Sequence, residues 1–422
     1  MGGMIRHKLF SEGRSLMTEP LAAVNGIRIG TTNAQIRRHM GVSQKDRDDL
    51  VLFEITEGTH TAAVFTRNVF RAAPVHVARH HLDETTPRFL LINAGNANAG
   101  TGDSGLIDAK ACCEAVAKYA DCPLEAVLPF STGVIGEPLP VDCIRAGIVD
   151  AHESLSPNGW ERAARAIMTT DTLPKGVSRR IETTDGPFTI TGIAKGSGMI
   201  RPNMATMLVF MATDAAVAPN ILRHVLAHAV DRSFHRITVD GDTSTNDACL
   251  LMATGAANLP ILERVGEGFY DAFRKAVTDV CEALAKSIIQ DAEGANKFIT
   301  IEVREGSSED ECVDIAFSIA HSPLVKTAFF AGDPNWGRIL AAVGRAGLSD
   351  FDITKVRIFL NDVCIVASGG RAKEYTETEG QRVMASPEIT VRIELGRGFE
   401  HTTVWTCDLS YEYVRINAEY RT

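Results

Sequence analysis

Residues 206–213, "TMLVFMAT", are apolar on both faces of an extended chain, with Leu208, Phe210 and Ala212 on one side and Met207, Val209 and Met211 on the other. A strand with one wet face alternates apolar and polar side chains, so this one has to be covered twice. A sheet lying between a second sheet and a helix layer does that. Short β-type runs alternate with helical ones throughout, which makes the class mixed α and β. At 422 residues the chain exceeds one compact core and divides into two domains or lobes.

The lead-in to that strand, "KGSGMIRPNMA" (195–205), ends on a small residue, Ala205, directly before the hydroxyl of Thr206. A threonine hydroxyl is a poor nucleophile until a base takes its proton. The residue's own α-amine can do so once the peptide bond before it is cut. Such an amine has a pKa of roughly 7.7–8.0, close to working pH. A small Ala205 leaves its carbonyl open to attack by Thr206, and "KGSG" gives the backbone freedom around that bond. A buried strand of no catalytic interest accounts for the same pattern.

Other segments are read from their spacing. "NILRHVLAHAV" (220–230) is a helix with Asn220 as N-cap and Leu222, Val225, Leu226 and Ala229 on one face. A longer helix spans about Gly268–Ile289, striped by Phe269, Phe273, Val277, Val280, Leu284 and Ile288. "RFLLINAGNANAG" (88–100) reads as a strand breaking into a Gly/Asn turn. "FITIEVRE" (298–305) alternates as a half-buried strand does, and "KVRIFL", "EITVRIEL" and "TTVWTCDL" supply further strands. In "PFSTGVIGEPLP" (129–140), backbone N–H groups of a Thr-Gly turn can converge on one spot, as a developing oxyanion requires; an ordinary turn is the alternative.

Several chemistries are excluded. "KGSG" and "TGVIG" lack the spacing of dinucleotide and phosphate loops. "TVDGDTSTND" (238–247) resembles a calcium loop only in Asp240, Asp242 and Ser244: Thr245 stands where glycine is required and Leu251 where glutamate is. It reads as a hydrogen-bonded turn. No histidine pattern suits a metal, and "RHH" (79–81) reads as surface. A net charge of −10, without a basic block, argues against nucleic acid. No apolar run reaches the roughly eighteen residues of a membrane span.

Nine cysteines without a CxxC pair read as free thiols in a reducing compartment, with no disulfides and no structural zinc. The first residues are basic, with no acidic residue before Glu12, and lack a secretory core. Met1, Met4 and Met17 are all candidate starts; an over-extended start, a loose tail and a short organelle-targeting peptide are the alternatives for this stretch.

Taken together, "KGSGMIRPNMATML", "STGVIG", "NAGNANAGTG", "RITVDGDTSTND", "DAEGANKF", "DPNWGRILAAVGRAG" and "CDLSYEYVRINAEYRT" resemble the ornithine acetyltransferases, the glutamate N-acetyltransferases of the cyclic arginine pathway. The resemblance runs in order from about Leu21 to Thr422, leaving residues 1–20 as a tail outside it. It implies an α+β protein with an αββα-type sandwich core and a second, smaller α/β lobe. It implies self-cleavage between Ala205 and Thr206 into an alpha chain (21–205, or 1–205 with the tail) and a beta chain (206–422) that carries the nucleophile and the smaller C-terminal lobe. Thr206 is then the catalytic nucleophile, and Thr132 and Gly133 form the oxyanion hole. Substrate-binding positions map onto Thr172, Lys195, Thr206, Glu293, Asn417 and Thr422. Thr169 and Thr170 stand close enough to Thr172 to compete for that role. Lys195 suits a substrate carboxylate and Glu293 the ammonium of ornithine.

The implied reaction is ping-pong transfer of acetyl from N-acetylornithine to glutamate through an acetyl-threonine ester, by a cytoplasmic enzyme without cofactor or metal. Acetyl-CoA as a second donor is left open. Two alpha and two beta fragments are expected to associate. The alternatives are a related N-terminal-nucleophile hydrolase or aminopeptidase, an acetyltransferase with another acceptor in secondary metabolism, and an uncut, non-enzymatic scaffold.

Overall fold

The computed structural model describes residues 16–17, 20–41, 47–201, 207–348 and 350–419. Ala205, Thr206 and Thr422, and most of the N-terminal tail, lie outside the described residues. The chain forms two units, one mainly from Ser15–His235 and Asp242–Ile288, the other mainly from Ile289–Tyr420 with Arg236–Gly241.

The larger unit holds strands β1 (Ile27–Thr32), β2 (Leu50–Ile55), β3 (His60–Phe65), β4 (Phe89–Asn96), β5 (Val127–Val134), β6 (Lys175–Ile181), β7 (Phe188–Lys195), β8 (Leu208–Thr213) and β9 (Ala248–Ala253). Its helices are α1 (Ile36–His39), α2 (Ala73–Glu84), α3 (Gly102–Ala120), α4 (Val141–Glu153), α5 (Trp160–Ala166), α6 (Pro219–Asp231) and α7 (Tyr270–Gln290). The strands make two sheets, β1-β2-β4-β5 and β3-β9-β8-β7-β6.

These sheets share one core. Phe53 and Phe130 of the first sheet meet Phe210 of β8 with ring centroids 5.7 and 5.2 Å apart. Leu208, Ala212, Leu250 and Met252 join them. Each fully buried side chain of this size contributes roughly 1.5–3 kcal/mol. The opposite face of the first sheet is covered by α3 and α4, where Cys112, Cys113, Val116, Ile144 and Ile148 pack on Leu50, Leu52 and Leu91. The opposite face of the second is covered by α7: Cys281 Sγ lies 3.6 Å from Met211 Sδ. A Cβ on Gly192 would press on Met211, Leu284 and Val280. The order of layers is therefore α-β-β-α. All six residues of β8 are buried, as the doubly apolar pattern requires.

Two local expectations are corrected. Helix α6 begins at Pro219 with Ala218 as its extended N-cap, so Asn220 lies inside the first turn and caps nothing. Proline suits that first position because its fixed φ is helical and its missing N–H is one of the groups a helix start leaves unpaired anyway. His81 is not on the surface. It is 1% exposed and its Nδ1 sits 2.7 Å from the Val127 carbonyl. The helical period explains the difference, since position 81 falls on the face of Val77 and Ala78, both buried. Burial lowers its pKa, which favours the neutral ring donating from Nδ1.

The smaller unit contains β10 (Phe298–Gly306), β11 (Arg357–Leu360), β12 (Val363–Ala367), β13 (Gly370–Arg371), β14 (Glu388–Glu394) and β15 (Glu400–Cys407), in the order β13-β12-β11-β14-β10-β15. With them come α8 (Glu309–Ala320), α9 (Pro323–Ala331), α10 (Trp336–Gly344), α11 (Glu377–Met384) and α12 (Tyr411–Glu419). Ile299, Ile301 and Val303 of β10 face Cys312, Ile315 and Ile319 of α8 in one core. All nine cysteines of the chain are free thiols. Among the described residues no helix is long and apolar enough to cross a membrane.

Candidate functional site

The site is built at one end of the two facing sheets of the larger unit. Register places Lys195 of β7 opposite Leu208 of β8, Leu208 beside Ala248 of β9, and Ala248 opposite Phe65 of β3. Met207 precedes this row and is held twice: its N–H donates to Asp247 Oδ1 at 2.9 Å, and its carbonyl accepts from the Ala248 N–H at 3.2 Å. Met207 is the residue that follows Thr206 in the chain, so the segment entering the site is pinned one peptide beyond it.

Thr132 and Gly133 end β5, the edge strand of the first sheet. Thr132 is buried. This stretch is a strand end rather than a free turn, because β5 runs parallel to β4 with Gly95 opposite Gly133. Both glycines have positive φ, 119° and 136°, a region that side chains other than glycine rarely occupy. The loop after β4 is tied down by asparagines. Asn93 donates to the Asn96 carbonyl at 2.9 Å, Asn96 to the Pro138 carbonyl at 3.0 Å, and Asn98 to the Gly105 carbonyl at 2.9 Å. That makes "NAGNANAG" a scaffold for the strand end carrying Thr132.

Lys195 is buried, not a solvated surface charge. Its Nζ is 3.9 Å from Asp171 Oδ2, while Lys175 Nζ, wholly buried, is 2.7 Å from Asp171 Oδ1. The N–H groups of Gly196 and Thr169 also donate to that carboxylate, at 2.7 and 3.0 Å. Burial alone would raise the Asp171 pKa, but Lys175, Lys195 and the Gly196 N–H overcome it and hold the carboxyl well below its usual range. Arg47 adds a third cation felt by Asp171; burial pushes its pKa down, and its Nε is buried without a hydrogen-bond partner. One carboxylate facing three cations leaves a corner with excess positive charge, suited to an incoming carboxylate.

Thr172 is exposed beside Asp171, whereas Thr170 Oγ1 lies 2.7 Å from Ser197 Oγ in the "KGSG" lead-in. In the smaller unit the structure joins two expected residues directly: Asn417 Nδ2 donates to Glu293 Oε2 at 2.8 Å and to the Tyr413 carbonyl at 3.0 Å. The bend at Gly294 makes this contact close. Gly294 has φ 68°, and a Cβ there would come within 2.4 Å of the Tyr413 nitrogen. Among the described residues no group of three or more His, Cys, Asp or Glu side chains is placed to hold a metal.

Sequence reading missed Arg47, Asp171, Asn246 and Asp247. Arg47 lies in a polar run with no local signal. Asp171 sits inside "TTDTLPK" and Asn246-Asp247 inside "TSTND", where an acid among threonines reads as turn chemistry.

The family model described as the ArgJ family matches residues 32–422. The chain is 59% identical over 411 residues to the Arginine biosynthesis bifunctional protein ArgJ of Methylococcus capsulatus, covering 97% of this chain and 99% of that one. Among solved structures, Arginine biosynthesis bifunctional protein argJ from Bacillus halodurans is 36% identical, with a TM-score of 0.47, covering 49% of this chain and 96% of that one. Ornithine acetyltransferase from Mycobacterium tuberculosis, solved with ornithine, is 34% identical, with a TM-score of 0.39, covering 44% and 95%. The match to the family model over almost the whole length, together with the Methylococcus relative, establishes that this chain belongs to the ArgJ family.

Proposed function

We propose that the chain is a self-cleaving acetyltransferase of arginine biosynthesis that moves acetyl from N-acetylornithine to glutamate. The observation that carries this reading is the cationic corner of Lys175, Lys195 and Arg47 around Asp171, one strand away from the residue that follows Thr206. Both substrates carry a carboxylate, and such a corner orients one. Family membership and the relative's name support the pathway.

In this reading Thr206 Oγ attacks the Ala205 carbonyl carbon, the peptide C–N bond breaks, and water hydrolyses the resulting ester. The α-amine of Thr206 is thereby released. That amine takes the hydroxyl proton as Oγ attacks the acetyl carbonyl of N-acetylornithine. The oxyanion is stabilised by Thr132 and Gly133. Collapse breaks the acetyl C–N bond, and ornithine's amine leaves with the proton. Glutamate's amine then attacks the acetyl-threonine ester through a second tetrahedral intermediate, giving N-acetylglutamate and the free enzyme. Lys195 holds the substrate carboxylate; Glu293, oriented by Asn417, attracts the side-chain ammonium of ornithine. The enzyme needs no cofactor. In its bifunctional form acetyl-CoA loads the same threonine as a co-substrate.

A progress assay tests the reading. N-acetylglutamate should appear in step with loss of N-acetylornithine, and loss without that product would mean hydrolysis instead. Glutamate acetylation with acetyl-CoA as sole donor tests the second activity.

A further inference from the structure

The turn "TSTND" lies at the junction of both halves of the site. Asn246 is buried, and its amide is fully directed: Oδ1 accepts from the Thr245 hydroxyl, while Nδ2 donates to the Ala97 carbonyl at 2.6 Å and to the Ser131 carbonyl at 2.9 Å. Ser131 immediately precedes Thr132, and Ala97 belongs to the loop after β4. Asn246 therefore ties the strand end of the first sheet to the segment that opens β9 in the second.

Its neighbour Asp247 grips the other half. Asp247 is wholly buried; its Oδ1 accepts from Met207 N–H at 2.9 Å and its carbonyl accepts from Thr66 N–H at 3.0 Å. Its Oδ2 is buried with no hydrogen-bond partner among the described residues. A buried, half-satisfied carboxylate is costly, and a group in that position tends to neutralise. Burial pushes this carboxyl well above its ordinary pKa, with the Met207 N–H, the nearby hydroxyls of Ser244 and Thr66, and Lys195 only partly offsetting it.

We propose that Asn246 and Asp247 are the positioning pair of this enzyme, Asn246 setting the strand end that carries Thr132 and Gly133, and Asp247 setting the peptide that follows Thr206. This rests on the function proposed above. The α-amine of Thr206 is three covalent bonds from the Met207 nitrogen, hence within about 4 Å of it in any conformation. With Asp247 Oδ1 2.9 Å from the Met207 nitrogen, an ionised carboxylate would lie within about 7 Å of that amine and would favour its ammonium form, opposing its use as a base. Burial, by raising the Asp247 pKa, weakens that opposition while the hydrogen bond to Met207 stays, and the positive charge of Lys195 disfavours the ammonium as well.

The test compares Asp247→Asn, Asp247→Leu and Asn246→Ala in the full chain. It follows self-cleavage on denaturing gels, acetyl transfer to glutamate with kcat and KM separated, the pH profile of kcat, and folding by circular dichroism. Asp247→Asn keeps an oxygen for Met207 N–H and stays neutral, so it should retain at least about a tenth of wild-type cleavage and kcat, with the acid limb in place. Asp247→Leu should slow both by ~10²-fold or more. Asn246→Ala should lower kcat by about tenfold or more with KM little changed.

The proposal is overturned if folded Asp247→Asn is as slow as ~10²-fold, or if its acid limb moves by about a unit or more, since Asp247 would then act through its charge and not through the position of the Met207 peptide. It is overturned for Asn246 if kcat stays at the wild-type value. Should Asp247→Leu fail to fold, the asparagine variant decides alone. A wild-type protein that neither cuts itself nor acetylates glutamate would instead refute the function, independently of any variant.

Discussion

Gly133 stands so close to Gly95 that a Cβ placed on it would lie 2.2 Å from the Gly95 carbonyl carbon. The parallel pair β4 and β5 can close at this end only because neither strand carries a side chain there. Gly133→Ala meets backbone rather than a side chain that can swing aside, at φ 136°. We expect a loss of about 1–3 kcal/mol or more, read as a fall in Tm, with acetyl transfer lost as the Thr132 backbone shifts.

Thr132→Ala leaves the strand intact and perturbs only the site. The backbone N–H stays and the Thr132 hydroxyl is lost; with that hydroxyl as one oxyanion donor, transfer should slow by roughly 10²-fold. Unchanged turnover in a steady-state assay would remove Thr132 from the site.

Thr206→Ala removes both the agent of cleavage and the later nucleophile. The protein should run as a single full-length band on a denaturing gel and transfer no acetyl. The active wild type should give fragments of 205 and 217 residues when the tail is retained. Mass spectrometry of active enzyme with the 205–206 bond intact would reject self-cleavage.

The buried Asp171–Lys175 pair predicts an acid-sensitive fold. Asp171 is held below its unfolded value, so its contribution is present above that value, about pH 4, and is lost as pH falls from there towards its folded pKa. Lys175→Met keeps the volume but removes one counter-charge, so the Asp171 pKa should rise. The Tm of the variant should fall less steeply below about pH 4 than that of the wild type. Equal slopes in scans from pH 6 downwards would show that the pair is not the source.

Glu293→Gln keeps a carbonyl oxygen to accept from Asn417 while removing the negative charge. KM for N-acetylornithine should rise by about tenfold with self-cleavage at the wild-type rate, because the charge serves binding and not the bond before Thr206.

What could be read along the chain was whatever repeats at the period of a local structure. The doubly apolar 206–213 segment announced a covered strand, and β8 is buried at every position. The stripe from Phe269 to Ile288 announced α7, and all six of its named residues are buried. Motif order identified the family. Burial of His81 was open to the same argument, since it follows from the helical period once α2 is placed; a run of polar letters concealed it.

Tertiary structure alone decided the charge and anchoring of the site. Arg47 reaches the Met168 carbonyl across 121 positions, Gly196 reaches Asp171 across 25, and Asn246 reaches Ser131 across 115. No local pattern marks such pairs, because a lysine or an aspartate looks the same in sequence whether water or a buried partner surrounds it. The excess positive charge around Asp171 and the half-satisfied carboxyl of Asp247 arise only when β4, β5, β7, β8 and β9 bring their ends together. Hydrogen bonds and desolvation depend on distances in space, and those exist only once the two sheets have packed.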